Sequence, residues 1–283
     1  EFRERLRHEL EVAARDAGSA ISRPPSGARE GFHSVTPYLQ VQRAAAVLEF
    51  VQEAFGATET LRVMVPGGGM HAEARLGDSM LMLGGAEGMP HPEMPTALHL
   101  YVPDADLFYA RAMGAGARSL QPPTDQPYGD REAGVEDPAG NHWYIATHKL
   151  AGEGRHVPEG LRDLTIYLHP RGAPALIDFL SEAFGAEEIS RHATPDGVIH
   201  HATVRIGDSV IEMGEAHGEI GPMPAAIYLY VEDVDGVFAR AVRAGGTATE
   251  PPTDRPYGDR SAYVADPFGN MWYIATHLGR VAS

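Results

Sequence analysis

The strongest constraint on this chain is that it carries the same sequence twice. PPTDQPYGDREAGVEDPAGNHWYIATH, Pro122 to His148, returns as PPTDRPYGDRSAYVADPFGNMWYIATH, Pro251 to His277, with six of 27 positions changed and 21 retained. The offset of 129 also pairs Phe55 with Phe184 in EFVQEAFGATE and DFLSEAFGAEE, and Val102 with Val231 in LHLYVPD and IYLYVED. RLGDS at Arg75 pairs with RIGDS at Arg205 at an offset of 130, so one residue is gained and later lost. Such self-similarity marks a tandem duplication. With 283 residues, each copy is long enough to bury its own core. The boundaries that follow are an N-terminal helix and flexible connector over residues 1–33, a first domain over 34–148, a linker over 149–162 and a second domain over 163–283.

Within each copy, strand and helix signals alternate. VTPYLQV and LTIYLHP have the period of two that belongs to half-buried strands. AAAVLEFVQEAF sets Ala45, Leu48, Val51 and Phe55 at helical spacing, with Gly56 as the stop. Strands around His71 to Leu76 and Ser79 to Leu83 are joined by a Gly77–Asp78 hairpin turn. The order then restarts: strand ALHLYV, helix ADLFYARAMGAG, and further strands through the repeated string. In that string, Asp137-Pro138-Ala139-Gly140 and Asp266-Pro267-Phe268-Gly269 suit type I turns. Asn141 and Asn270 are expected to cap them, and Arg131 and Arg260 to pair with Asp137 and Asp266.

Composition narrows the function. A net charge of -16 without a basic cluster excludes a nucleic-acid partner. No apolar run is long enough to span a membrane. The absence of cysteine removes disulfides, thiolate nucleophiles and Cys-based metal sites, and fits a reducing cytoplasm. The N-terminus lacks a signal peptide's apolar core, which also leads to a cytoplasmic expectation. FRERLRHELEVAARDA sets Phe2, Leu6, Leu10, Ala13 and Ala17 on one helical stripe, suited to packing on the body or on a partner.

Strand, helix and three strands used twice per copy, with DPxGNxW before the last strand and YGDR ahead of it, resembles the vicinal oxygen chelate (VOC) superfamily. That group holds glyoxalase I, bleomycin-resistance proteins, extradiol dioxygenases and PhnB-like proteins, the last being most similar. The resemblance implies an α+β fold of tandem VOC domains, each built from two βαβββ units that form a curved, eight-stranded, cup-like sheet. It also implies metal-ligand slots on the first, fourth, fifth and eighth strands of a domain. These fall on Thr36 and Thr165, Met82 and Glu212, Ala97 and Ala226, and Tyr144 and Tyr273. Seven of the eight are poor ligands for a hard divalent ion, so the standard metal site is expected to be absent.

Glu212 is the exception. Either it faces the cup as a carboxylate in an apolar pocket, or it lies on a solvent-facing strand surface. His99 falls on the same side of its strand as Ala97 and Tyr101, with Tyr228 as its counterpart. His169 shares a side with Thr165 and Tyr167, and its counterpart is Gln40. His71 and His201 are a true pair, while His142 faces Met271 across the copies. If one cup is completed by strands of both copies, as relatives often arrange it, Glu212 and His169 approach His99 and Tyr144 as a metal or acid–base centre. His169 is four residues beyond its slot, roughly 13 Å along a strand at about 3.3 Å per residue, which argues against a simple version.

The reading favoured is a metal-independent binder of a small aromatic or cationic ligand, of the sequestration or antibiotic-resistance kind. Tyr38, Tyr101, Tyr144, Tyr167, His169, Tyr228 and Tyr273 line it, with acidic charge drawing a cation. The alternative is a glyoxalase-like lyase, isomerase or dioxygenase with Glu212 and His99 as its catalytic pair, with or without a divalent metal. A small molecule is the expected partner, and a monomer acting as a pseudo-dimer the expected state. Chemistry is expected where the copies disagree: Glu212 against Met82, His99 against Tyr228, His169 against Gln40, His142 against Met271.

Overall fold

The computed structural model describes residues 27–65, 69–85, 93–150, 154–218 and 221–279. The helical stripe expected from Phe2 to Ala17 lies outside the described residues.

Four βαβββ units follow one another along the chain. The first comprises β1 (Val35–Gln40), α1 (Ala44–Phe55), β2 (Thr58–Val65), β3 (Gly69–Leu76) and β4 (Ser79–Gly85). The second comprises β5 (Ala97–Tyr101), α2 (Ala105–Gly114), β6 (Arg118–Asp125), β7 (Asp130–Glu136) and β8 (His142–His148). The third comprises β9 (Leu164–Leu168), α3 (Ala173–Phe184), β10 (Glu187–Ala193), β11 (Ile199–Ile206) and β12 (Ser209–Met213). The fourth comprises β13 (Ala226–Tyr230), α4 (Val234–Arg243), β14 (Thr247–Asp254), β15 (Asp259–Ala265) and β16 (Met271–His277).

The strands form two eight-stranded mixed sheets, each assembled from two βαβββ units, though not from the two units of one copy as the resemblance implied. One runs β14-β15-β16-β13-β1-β4-β3-β2, the other β10-β11-β12-β9-β5-β8-β7-β6, so each sheet takes one unit from each copy. By backbone proximity the described residues fall into two larger compact units: the first, Tyr38–Tyr167, holds β5–β8, and the second, residues 27–37 with 168–279, holds β13–β16.

Local chemistry explains the helix ends. Gly56 and Gly185 close α1 and α3 at φ +72° and +70°, their N–H groups returning to carbonyls of the last turn. A residue with a Cβ would be strained in that left-handed conformation. Asp104 and Asp233 accept hydrogen bonds from the N–H of Leu107 and Gly236, capping α2 and α4. In α1 the buried side is Val47, Leu48, Phe50, Val51, Ala54 and Phe55. Ala45, expected on that stripe, is exposed, because the helix presents Ala44 inward instead.

The GDS tips of two hairpins serve one purpose. Asp78 accepts from the N–H of Asp163 (3.1 Å) while donating its own N–H to the Asp163 carboxylate (2.9 Å), and Ser79 Oγ accepts from Leu164. In the other unit Asp208 exchanges the same bonds with Ser34, and Ser209 Oγ accepts from Val35. Each tip therefore satisfies the backbone at the start of a first strand. A Cβ at Gly77 would lie 1.8 Å from Asp163 Oδ2, so that position is held to glycine by space as well as by its φ of +56°.

Trp143 and Trp272 are fully buried. Their rings lie 4.7 Å from Phe55 and 4.5 Å from Phe184, so the last strand of each copy is fastened to the end of that copy's first helix. Since side chains alternate across a strand, Leu98, Leu100, Val135 and Ile145 share this buried side, and the other side of β5, β7 and β8 is left for different chemistry.

Candidate functional site

On that other side, the register of the first unit brings five residue pairs into line. β7 sets Asp130 opposite His148, Glu132 opposite Ala146 and Gly134 opposite Tyr144, while β5 sets His99 beside Tyr144 and Tyr101 beside Ala146. His99, Asp130 and Glu132 each offer a ligand atom within 4.8 Å of the others'. Asp130 is 3% exposed; its Oδ1 is 2.5 Å from His148 Nδ1, and Oδ2 accepts from Tyr101 OH at 3.2 Å. Tyr128 OH donates to Glu132 Oε2 at 2.9 Å. The His99 ring tilts against Tyr101 at 4.3 Å, and Tyr144 meets Tyr167 edge-on at 5.3 Å. Burial, with a contribution from Glu132, pushes the Tyr144 phenol up to about 12, and burial raises Tyr128 further. These phenols are neutral donors and aromatic walls at ordinary pH.

The same positions in the second unit carry different residues on the same backbone. β15 sets Asp259 opposite His277, Ser261 opposite Ala275 and Tyr263 opposite Tyr273, and β13 sets Tyr228 beside Tyr273. Asp259 is 2% exposed, with Oδ1 2.7 Å from His277 Nδ1 and Oδ2 accepting from Tyr228 at 2.8 Å and Tyr230 at 3.4 Å. Where the first unit has Glu132 the second has Ser261, and Ser261 Oγ accepts from Arg255 Nε at 2.8 Å. Burial raises the phenols of Tyr228 and Tyr273, and Tyr263 to about 12.

Glu212 is buried at 3% exposure, which removes the solvent-facing alternative; its Oε1 is 3.2 Å from His201 Nε2. Its asymmetry is only apparent. In the first unit Glu73, 4% exposed, lies 3.3 Å from His71 Nε2. Glu73 faces Met82 across β3 and β4, whereas Thr203 faces Glu212 across β11 and β12. Each unit thus keeps one buried carboxylate beside its histidine, supplied from opposite members of the strand pair. Tyr38 stacks on His71 at 5.9 Å. His169 is buried and its backbone bridges Met223.

Three sequence expectations are corrected or extended. Arg131 pairs with Asp106 and Asp125, and Arg260 with Asp235 and Asp254, not with the turn aspartates. Asp137 is already engaged: it accepts from Trp143 Nε1 at 3.1 Å, Asn141 Nδ2 at 2.8 Å and the N–H of Ala139 and Asn141. Asp266 is engaged in the same way. The turn itself and its Asn cap are as expected, with Gly140 N–H on Asp137 O at 3.0 Å and Asn141 Oδ1 on the N–H of Thr96. His142 lies 3.4 Å from Glu136, beyond the Tyr144 end of the strand pair, and its exchange for Met271 accompanies the exchange of Glu136 for Ala265. Asp130, Glu132 and Glu73 were missed. Glu132 against Ser261 was visible as one of the six changes in the repeated string, and Asp130 carried no such signal.

The Glyoxalase/Bleomycin resistance protein/Dioxygenase superfamily model matches residues 31–145 and 170–274, most of the chain and both copies. The chain belongs to that superfamily. An uncharacterised protein of Mycobacterium tuberculosis (strain H37Rv) is 37% identical over 120 residues, 38% of this chain and 71% of that protein. A Mycobacterium bovis protein named "Putative glyoxylase CFP32" is 26% identical over 255 residues, 83% of this chain and 91% of that protein. Among solved structures, glyoxalase I from Zea mays has a TM-score of 0.64 at 17% identity, covering 85% of this chain and 91% of that one, a likeness of fold.

Superfamily membership raises the question of a metal in the four strand slots. The residues there do not fit one. Ala97 and Ala226 have no donor, Met82 offers a thioether, Thr36 and Thr165 are neutral hydroxyls, and Tyr144 and Tyr273 are phenols that burial keeps protonated. A hard divalent cation requires more charged oxygen or imidazole than Glu212 alone supplies. The His99–Asp130–Glu132 group has the donors for a cation, at positions other than those slots. Among the described residues no helix is long and apolar enough to cross a membrane.

Proposed function

We propose that the chain binds a small cationic, aromatic-bearing molecule on the β5–β7–β8 face of its first unit. The observation that carries this reading is the convergence of His99, Asp130 and Glu132 within 4.8 Å, beside Tyr101, Tyr128, Tyr144 and Tyr167. Carboxylates shielded from water attract a cation more strongly than exposed ones, because screening and competing hydration are reduced. Tyrosine rings add area and a negative π-face suited to a cation's flat substituent. Tyr38, His169, Tyr228 and Tyr273, the remaining members of the expected lining, stand on other strands or beyond them and are not part of this face. A pseudo-dimeric monomer in the cytoplasm is the setting proposed with it.

Calorimetric titration of the full chain with a panel of aromatic ammonium compounds tests the reading. Saturable binding that weakens at least tenfold in Glu132→Gln, and weakens as salt is raised, is the expected result. A flat response across the panel removes it.

A second reading, a glyoxalase-like lyase, isomerase or dioxygenase, is supported by the same three side chains. An imidazole close to two carboxylates can move a proton or hold a divalent ion. Elemental analysis of protein purified without chelator, compared between wild type and Asp130→Asn/Glu132→Gln, separates the two. Stoichiometric metal lost in the double variant favours the enzyme, and no metal in either favours the binder.

A further inference from the structure

The second unit's counterpart of that face differs from it by an arginine and the glutamate that holds it, Glu250 standing where the first copy has Gln121. Gln126 of the first copy is replaced by Arg255, Glu132 by Ser261, Gly134 by Tyr263 and His99 by Tyr228. The backbone around Arg255 is unchanged: Arg255 N–H meets Asp259 O at 2.7 Å, as Gln126 N–H meets Asp130 O at 2.7 Å. Arg255 Nε donates to Ser261 Oγ at 2.8 Å, and Nη1 pairs with Glu250 at 2.8 Å. Nη2 is shielded from solvent and has no hydrogen-bond partner among the described residues. The guanidinium lies 5.0 Å from the centre of the Tyr263 ring. Tyr263 stands edge-on to Tyr273 at 4.8 Å, and Tyr273 stacks with Tyr228 at 6.3 Å.

We infer that this face is a second binding site, selective for a planar aromatic anion such as an aromatic carboxylate. The anion seats on Arg255 and its ring lies against Tyr263, Tyr273 and Tyr228. An arginine with one donor unused inside an aromatic wall is costly to leave unsatisfied, and its fork fits a carboxylate through two parallel bonds. Of the neighbouring carboxylates, Asp259 is enclosed by Tyr228, Tyr230 and His277, so its charge is committed. Glu250 holds Arg255 from outside, its side chain 38% exposed, and is the partner an incoming carboxylate replaces. No residue is shared with the face assigned to a cation in the first unit, so either site stands if the other fails.

The test uses the full chain, with benzoate and benzylammonium as probes in calorimetric titrations. Arg255→Gln and Ser261→Glu install the residues that Gln126 and Glu132 occupy on the same hairpin in the first copy, so the backbone tolerates both. Wild type is expected to bind benzoate saturably. Arg255→Gln weakens it at least tenfold, Ser261→Glu abolishes it by adding to Glu250 a second carboxylate where Arg255 Nε now meets Ser261, and Arg243→Gln, at the exposed end of α4, leaves it unchanged. Saturable benzoate binding that survives both site variants overturns the proposal, as does its absence in wild type. Circular dichroism melts verify that each variant is folded, and if one is not, the other carries the test alone.

Discussion

The β5–β7–β8 face of the first unit and the β13–β15–β16 face of the second put different charged groups on one backbone, Glu132 on the first and an Arg255–Glu250 pair on the second. Both keep an aspartate enclosed by tyrosine and histidine, Asp130 with Tyr101 and His148, Asp259 with Tyr228, Tyr230 and His277. Both keep a tyrosine from the last strand, Tyr144 or Tyr273, at the centre. Around this constant frame the first face adds His99 and Glu132, and the second adds Tyr228, Ser261, Tyr263 and Arg255. The lesson is that duplication preserves what makes the strands and turns, and a few exchanges on one side of a sheet reset the chemistry.

If the frame is common, its two halves should fail alike. Trp143→Ala and Trp272→Ala each remove a fully buried ring held against a helix and bonded to the turn aspartate. Each is expected to lose about 3–5 kcal/mol of unfolding free energy in urea titrations. Losses differing severalfold would break the equivalence. Next comes the buried carboxylate that changes strands. Glu73→Thr is expected to cost about 1–3 kcal/mol, as the half-buried His71 loses its buried carboxylate partner. Adding Met82→Glu, which copies the Thr203–Glu212 arrangement, should recover part of it in the same titrations. No recovery would mean the two histidine–glutamate pairs are not equivalent.

The faces themselves give smaller effects. Glu132→Gln should weaken aromatic ammonium binding tenfold or more, about 1.4 kcal/mol, by calorimetry. Ionisation should look alike on both sides. Tyr144 and Tyr263 ordinarily titrate near 10.0 and are pushed up to about 12 in the fold. Between those values the unfolded chain has released these protons and the folded chain has not. The stabilisation they give is therefore complete below pH 10 and lost as pH rises toward 12. Absorbance at the phenolate band should lag the model-tyrosine curve until unfolding, and early titration of either residue would contradict this burial. The smallest effect is expected at Arg131–Asp106 and Arg260–Asp235, exposed pairs of the frame; alanine at either arginine should barely move Tm at high salt.

Much of the frame was legible from the residues. Gly56 as a stop, Gly77–Asp78 as a hairpin, and Asp137-Pro138-Ala139-Gly140 as a turn depend on neighbours within a few positions, and such local chemistry is carried by the chain itself. The partner of Arg131 was not, because choosing Asp106 over Asp137 depends on how α2 packs on β7 and on Trp143 already holding Asp137. Glu73 escaped because comparing the copies column by column sees Met82 against Glu212. A carboxylate moved across to the paired strand appears only once β3 and β4 are in register. Asp130 and Glu132 escaped for another reason. They lie inside the string whose near identity marked it as framework, and only the alternation of β7 separates Glu132, on the open face, from Ala133, in the core.

If the two faces take ligands of opposite charge, exchanging Glu132 and Ser261 between them should disable both. Benzylammonium and benzoate would be titrated calorimetrically into wild type and into the double variant Glu132→Ser/Ser261→Glu. Wild type should bind both, and the double variant should lose at least tenfold affinity for each. Unchanged affinity for both probes in a folded double variant would show that Glu132 and Ser261 do not set the charge each face accepts.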